Sequence, residues 1–398
     1  MDITITPTKL RGTVQAIPSK SQAHRLLICA AFADKPTALI CPDTNRDIEA
    51  TAECLCSLGA RTERTPEGYN VTPAMQIPTV ATLNCCESGS TLRFMLPVVG
   101  ALGVDATFRM EGRLPYRPLS PLQEEMTRMG CTLTRPTEHT LRCTGKLKNG
   151  EYTVDGGVSS QFITGLLLAG ALMDGQSTIR IAGKLESKPY VDMTKDAMAL
   201  FGVNAENLCV SGSRPLRSPG TVQVEGDWSN GAFFLAAAAM GSCVSVTGLS
   251  EISSQGDRAA AALLTQLDTP ITIDAADIPD LVPILAVTAA ARQGAVFTNI
   301  RRLRLKESDR VASVIAMLKA LGGCAEATED TLTVYPCTFT GGTVDACGDH
   351  RIAMSAAIAA TAATGPVTVL GCECVSKSYP GFWEEYKRLG GQYEQHIR

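Results

Sequence analysis

The chain has 398 residues, 45% of them hydrophobic and 19% charged, with a formal net charge of −4. That length calls for two cores of ordinary size, and that balance offers nothing to nucleic acid or to an anionic membrane surface. No apolar run approaches the ~18 residues that span a bilayer, and Met1-Asp2-Ile3-Thr4-Ile5-Thr6 alternates like a strand rather than a leader peptide, so a cytoplasmic chain is expected. From there a short β pattern, a Gly/Ser/Asp turn and an Ala/Leu-rich helix pattern recur. The first copy runs 13–17 into Pro18-Ser19-Lys20-Ser21 and a helix through Leu26, Leu27 and Ala31. The second runs 81–85 into Glu87-Ser88-Gly89-Ser90, and the third 152–155 into Gly157-Val158-Ser159-Ser160. The fourth runs 221–224 into Gly226-Asp227-Trp228-Ser229. The fifth runs 271–273 into Asp277-Ile278-Pro279-Asp280, and the sixth 343–345 into Gly348-Asp349-His350-Arg351.

A second signal keeps the same phase. Helix patterns close on a hydrophobe and a glycine at Leu58-Gly59, Met129-Gly130, Phe201-Gly202, Leu321-Gly322 and Leu389-Gly390, where glycine supplies a left-handed residue. Two β runs often follow, such as 61–63 with 69–72 and 131–134 with 140–143. The period is about 70 residues, so each copy is a whole supersecondary unit. Six βαβαββ units, three per domain, are expected, the last without its closing strands. The first helix of each unit is nearly free of charge, as at 232–240 and 354–363, and a helix apolar all round must be buried. The fold class expected is therefore α/β, with two similar domains in which sheets lie outside and helices inside. The first helices should present their positive N-termini together and attract anions.

The charged residues fall at these helix starts. Arg302-Leu303-Arg304-Leu305-Lys306-Glu307-Ser308-Asp309-Arg310 precedes a helix pattern carrying Val311, Ile315, Leu318 and Leu321, with Ser308 or Asp309 as its cap. Lys306 and Arg310, four apart, would share a face if the helix began there. Other turns carry Lys20 with Ser21 and Arg25, Gly89 near Arg93 and Arg117, Ser159-Ser160-Gln161, Ser187-Lys188-Pro189-Tyr190, Asp280, His350-Arg351 and Lys377. The 15 cysteines and four histidines lack zinc-ligand spacing, so the cysteines read as small buried hydrophobes in a reducing compartment and no metal site is expected.

Together these motifs resemble the enolpyruvyl transferases along the whole chain, and within them the branch that acts on shikimate 3-phosphate. The resemblance rests on Pro-Ser-Lys-Ser-Gln-Ala-His-Arg at 18–25, Ser-Gly-Ser-Thr-Leu-Arg at 88–93 and Arg117-Pro118. It continues through Ser-Ser-Gln at 159–161, Ser-Lys-Pro-Tyr at 187–190, Ile-Pro-Asp at 278–280, Lys-Glu-Ser-Asp-Arg at 306–310, Asp-His-Arg at 349–351 and Lys377. It implies an inside-out α/β barrel in each domain, with 19–225 as one domain and 1–18 with 226–398 as the other, hinged at two crossovers. It implies transfer of the enolpyruvyl group of phosphoenolpyruvate to the 5-hydroxyl of shikimate 3-phosphate by a monomer that needs no cofactor.

By the same resemblance Lys20, Gly89, Arg117, Gln161, Arg310, Arg351 and Lys377 hold phosphoenolpyruvate. Lys20, Ser21, Arg25, Ser159, Ser160, Gln161, Ser187, Asp280 and Lys306 hold shikimate 3-phosphate. Both substrates are anions, which guanidinium and ammonium groups suit. Asp280 is expected to be the base for the hydroxyl, Glu307 the acid that protonates the methylene and later removes a proton, and Lys20 the stabiliser of the departing phosphate. Two positions depart from the family pattern, with Glu87 and Arg302 standing where asparagine is usual. A carboxylate at 87 would repel phosphoenolpyruvate unless a cation pairs with it, while resemblance to glyphosate-sensitive members at Gly89 implies inhibition by glyphosate. The alternatives are transfer to UDP-N-acetylglucosamine and an inactive anion-binding protein on the same scaffold. Lys20, Asp280 and Glu307 argue against the second.

Overall fold

A computed structural model describes residues 1–212 and 215–396. The chain divides into two compact units, Pro18–Glu225 and Met1–Ile17 with Gly226–Arg398.

In Pro18–Glu225 the described strands form three four-stranded sheets. One runs in the order Thr221–Gln223, Thr37–Ile40, Gly68–Thr72, Arg61–Thr65. The next runs Val80–Asn84, Asp105–Arg109, Thr140–Gly145, Cys131–Thr137, and the last Glu151–Asp155, Gly175–Ala182, Cys209–Gly212, Ala205–Glu206. In each sheet the first pair is parallel and the others antiparallel. A parallel step needs a crossover, and the helices Gly89–Leu102 and Ser160–Leu172 supply it in the second and third sheets. Alternate strand residues are buried, as Ala81 and Leu83 are in Val80–Asn84, so one face of each sheet covers the core and the other meets water. The helices Lys20–Ala31, Gly89–Leu102 and Ser160–Leu172 lie inside. In the last of these every residue but Gln161 is buried. Gly165 lets it approach its neighbour closely, since a Cβ there would lie 2.3 Å from the Arg93 carbonyl oxygen.

The second unit repeats the plan around the helices Trp228–Ala239, Val282–Ala290 and His350–Ala360, the last two buried at every residue. Ile271–Asp274, Ala295–Thr298, Thr331–Tyr335 and Cys324–Ala327 form one sheet. Gly342–Asp345, Val367–Leu370, Asp2–Thr6 and Gln392–His396 form another, and Cys243–Thr247 pairs in parallel with Arg11–Gln15.

The expected architecture of inner helices and outer sheets is present, but three details differ. The strands near the two crossovers exchange places: Thr221–Gln223 joins the first sheet beside Thr37–Ile40, and Arg11–Gln15 joins Cys243–Thr247 in the fourth unit. Among the described residues the unit without a closing strand pair is the fourth, which explains why 271–273 follows 221–224 at a shorter step than the other copies. The sixth unit is completed by Gln392–His396 and by the N-terminal strand Asp2–Thr6, which pairs antiparallel on both sides. Leu303 and Leu305 lie on a 3-10 turn, Arg301–Leu305, with Leu303 buried and Leu305 exposed. All 15 cysteines are free thiols, seven buried and four (Cys56, Cys243, Cys324, Cys347) exposed, so burial accounts for only some of them. Among the described residues no helix is long and apolar enough to cross a membrane.

Candidate active site

The predicted residues fall in both units. In Pro18–Glu225, three inner helices begin on capping serines. Ser19 accepts from the Gln22 amide, Ser88 from the Thr91 amide and Ser159 from the Gln161 amide. Each such cap is worth ~1 kcal/mol and leaves other first-turn amides for a ligand. Lys20 and Ser21 open the first helix, and Lys20 Nζ lies 2.9 Å from Asp47 Oδ2 with both side chains largely buried. Asp47 sits in the first turn of helix Arg46–Ser57, where an acidic residue complements the helix dipole. Its link to Lys20 crosses helices and had no local sequence signal.

The Gly89 helix start gathers more charge. A Cβ on Gly89 would lie 2.5 Å from Arg117 Nη1 and 2.7 Å from Arg93 Nη1, so both guanidinium groups lie against its bare backbone. Arg93 Nη1 donates to Gln161 Oε1 at 3.3 Å, Gln161 Nε2 to Ser90 Oγ at 2.9 Å, and Arg93 Nη2 to the Pro118 carbonyl at 3.0 Å. Gly89, Arg117 and Gln161 are thus brought together, with Ser160 at the Gln161 helix start. Arg93 joins them as a member that sequence reasoning had noted only as a nearby cation. Glu87 lies against Gly112, beyond the strand Asp105–Arg109: a Cβ on Gly112 would lie 2.3 Å from Glu87 Oε1, and Gly112 has φ +54°. The carboxylate therefore occupies the space that a side chain at 112 would need.

Arg25 is held by neighbouring helices. It is buried, donating from Nε to Thr194 Oγ1 at 2.8 Å and from Nη2 to the Tyr190 carbonyl at 2.9 Å and Thr164 Oγ1 at 3.2 Å. Its guanidinium also stacks 5.0 Å from the Phe94 ring centre. Burial lowers its pKa to about 10. These bonds tie its helix to the helices Lys188–Leu200, which follows Ser187, and Ser160–Leu172. Ser187 is buried in the left-handed region at φ +55°, a strained conformation for serine of the kind that collects at ligand sites.

In the second unit Arg310 is the hub. It is 1% exposed and begins the helix Arg310–Ala320, whose cap is Asp309. Its Nε donates to Asp349 Oδ2 at 2.8 Å, its Nη1 to Asp280 Oδ1 at 2.6 Å and its Nη2 to Glu307 Oε2 at 2.7 Å. Asp280 Oδ1 also faces Lys306 Nζ at 3.6 Å, and its Oδ2 faces Arg351 Nη2 at 3.3 Å. Lys306 precedes the helix, so the pair expected to share a helical face meets instead through Asp280. Ser308, the other candidate cap, donates to Asp349 Oδ2 at 3.1 Å. Asp349 lies wholly buried, and its Oδ1 caps the helix His350–Ala360. Lys377 ends the 3-10 turn Cys372–Lys377, which packs against that helix.

Charge governs the protonation states here. Burial alone would raise the pKa of Asp280, but Arg351, Lys306 and Arg310 overcome it and hold the carboxyl well below its usual range. Burial, with Arg310 and Arg302 as neighbours, lowers Lys306 to about 8 although Asp280 pulls the other way. Asp257, also buried, is raised to about 7 by burial and by Asp280, against Arg351. Asp257 carried no predicted role, and Asp349 entered only through the turn and motif at 348–351. Three cations, Arg310 with Lys306 and Arg351, thus balance three carboxylates, Asp280, Glu307 and Asp349.

Known proteins resemble this chain along its whole length. The family model for EPSP synthase (3-phosphoshikimate 1-carboxyvinyltransferase) matches residues 5–386. A 3-phosphoshikimate 1-carboxyvinyltransferase from Clostridium kluyveri is 38% identical, covering 99% of this chain and 98% of its own. One from Clostridioides difficile is 35% identical over 98% of each chain. In fold, the chain is similar to EPSP synthase from Acinetobacter baumannii, with a TM-score of 0.80, 24% identity and coverage of 99% and 100%. It is also similar to the enolpyruvyl transferase NikO from Streptomyces tendae, with a TM-score of 0.76, 18% identity and coverage of 100% and 99%. A whole-chain match to one family model, with relatives above a third identical end to end, means that this chain belongs to the EPSP synthase (3-phosphoshikimate 1-carboxyvinyltransferase) family.

Proposed function

We propose that the chain transfers the enolpyruvyl group of phosphoenolpyruvate to the 5-hydroxyl of shikimate 3-phosphate, releasing phosphate. The observation that carries this reading is the Arg310 cluster, in which three cations share Asp280 while Arg310 also holds Glu307. That set supplies anion binding, a base and an acid in one place, as addition and elimination at an enol phosphate require.

In this reading Lys20, Gly89, Arg117, Gln161, Arg310, Arg351 and Lys377 hold phosphoenolpyruvate. Ser21, Arg25, Ser159, Ser160, Gln161, Ser187, Asp280 and Lys306, with Lys20, hold shikimate 3-phosphate. Asp280 removes the hydroxyl proton, and the freed oxygen bonds to C2 of phosphoenolpyruvate while Glu307 gives a proton to the methylene carbon. A tetrahedral phosphate ketal results. Glu307 then takes a proton from the new methyl group, the double bond re-forms, and the C2–O bond to phosphate breaks with the charge drawn toward Lys20. In the ligand-free protein Asp280 is a weak base because three cations surround it. Substrate anions that occupy those cations raise its basicity when it is needed.

The position of Glu87 against Gly112 supports tolerance of a carboxylate there, and glycine at 89 supports competitive inhibition by glyphosate. The enzyme acts as a cytoplasmic monomer on two small soluble anions. The test is phosphate release from phosphoenolpyruvate with shikimate 3-phosphate or UDP-N-acetylglucosamine as separate acceptors. Release with shikimate 3-phosphate alone is expected. Release only with the aminosugar, or with neither, overturns the assignment.

A further inference from the structure

Helix Lys20–Ala31 carries a histidine that the reaction above leaves unused. His24 is wholly buried, and its Nδ1 lies 2.7 Å from Thr51 Oγ1. Thr51 Oγ1 is 2.7 Å from Thr91 Oγ1. Thr91 Oγ1 donates to Ser88 Oγ at 2.8 Å and reaches the Asp47 carbonyl at 3.4 Å. Thr51, Thr91 and Ser88 are buried as well, so the contacts form a dry chain across the helices Lys20–Ala31, Arg46–Ser57 and Gly89–Leu102.

The chain has a direction. A threonine hydroxyl has one proton, and Thr91 directs its own to Ser88 or to the Asp47 carbonyl. Thr91 must then accept from Thr51, and Thr51, its proton committed, must accept from His24. The imidazole is therefore the Nδ1–H tautomer. Its Nε2, buried without a hydrogen-bond partner among the described residues, is then a bare lone pair rather than an orphaned N–H. Burial, with Lys20 and Arg25 nearby, holds the ring's pKa well below its ordinary value, so it stays neutral. The His24 and Phe94 rings pack in a T-shaped pair, 6.2 Å between centres.

Both ends of the chain reach residues with assigned roles. Ser88 caps the helix that starts at Gly89, the Asp47 side chain holds Lys20, and His24 lies one turn beyond Lys20. We propose that His24, Thr51, Thr91 and Ser88 form a positioning network that sets the Lys20–Asp47 pair relative to the Gly89 helix start, and so tunes affinity for phosphoenolpyruvate. This rests on the function proposed above.

Thr51→Val keeps the shape but strands the partners on both sides, while Thr51→Ser keeps the hydroxyl. In steady-state kinetics, Thr51→Val is expected to raise KM for phosphoenolpyruvate about tenfold, equivalent to ~1.4 kcal/mol, and KM for shikimate 3-phosphate less than about threefold. Thr51→Ser is expected to restore both. Equal rises in the two constants, or a drop in melting temperature with both constants unchanged, would reduce the network to a structural role and overturn the proposal. Nitrogen-15 NMR of the full-length protein gives a readout independent of turnover. His24 is expected to show a protonated Nδ1 and a bare Nε2 at neutral pH. A protonated Nε2 would overturn the chain's direction. A parent enzyme with no transfer activity would fail the functional reading, while the NMR result would still decide the direction of the chain.

Discussion

Replacing Asp349 by asparagine isolates the charge that holds Arg310 in place. One Asp349 oxygen accepts from Arg310 Nε at 2.8 Å and Ser308 Oγ at 3.1 Å, and the other caps the next helix through the Arg351 amide at 3.0 Å. Asparagine caps a helix as well as aspartate does, so loss of the cap alone should cost little. Its amide nitrogen, however, must face either Arg310 Nε or the Arg351 amide, and either orientation sets donor against donor. Arg310 is 1% exposed, and removing one partner of a buried ion pair typically costs ~3–5 kcal/mol. Glu307 and Asp280 remain to hold it, so we expect the lower part of that range, about 3 kcal/mol. The two tryptophans, Trp228 and Trp383, both lie in the unit that carries Asp349, so their fluorescence in guanidinium follows the unfolding of that unit. Asp309→Asn is the control, because Asp309 caps the helix Arg310–Ala320 while 40% exposed and should lose less than about 0.5 kcal/mol. Similar losses in the two variants would refute the view that Asp349 acts through Arg310.

Other expectations can be tested directly. Gly89→Ala places a methyl carbon against Arg117 and Arg93, so KM for phosphoenolpyruvate should rise by about tenfold with little change in melting temperature, and unchanged kinetics would contradict the geometry. Lys306, lowered to about 8, is charged below that pH and loses its proton above it, so kcat/KM for shikimate 3-phosphate should fall as pH rises through about 8. Lys306→Arg should move that limb to higher pH, and a limb that stays put assigns it to another group. A thiol reagent should modify Cys56, Cys243, Cys324 and Cys347 first in the native protein, with Cys29, Cys41, Cys54, Cys85, Cys131, Cys143 and Cys372 reacting only on unfolding. Early modification of the buried set, counted by mass spectrometry, would mean that the cores open more readily than their packing implies.

The repeat was legible because it is local: each turn, cap and apolar helix lies within one stretch of sequence. Pairing between distant strands is not local. Nothing in 221–224 says that its partner is Thr37–Ile40, and nothing in the opening strand says that it completes the last sheet. The site divides along the same line. Lys20, Gly89, Arg310 and Asp280 stand at helix starts or in charged turns and could be found, whereas Asp47 holds Lys20 from behind with no pattern of its own, and the Asp-His-Arg motif marked Asp349 without showing that it holds Arg310. Arg25 shows the converse, since its place in a motif said nothing of the hydroxyls and carbonyl that surround it. Glu87 could be judged only as a charge until Gly112 showed where its carboxylate lies.

The most direct test of the account is turnover in heavy water with shikimate 3-phosphate as acceptor, followed by mass spectrometry of the product. If Glu307 protonates the methylene and then removes a proton from the resulting methyl group, the enolpyruvyl product should gain deuterium at its methylene carbon, and Glu307→Gln should lose about 100-fold or more in turnover. Product formed at the parent rate by Glu307→Gln, or product free of deuterium, would contradict the addition–elimination path assigned to this cluster.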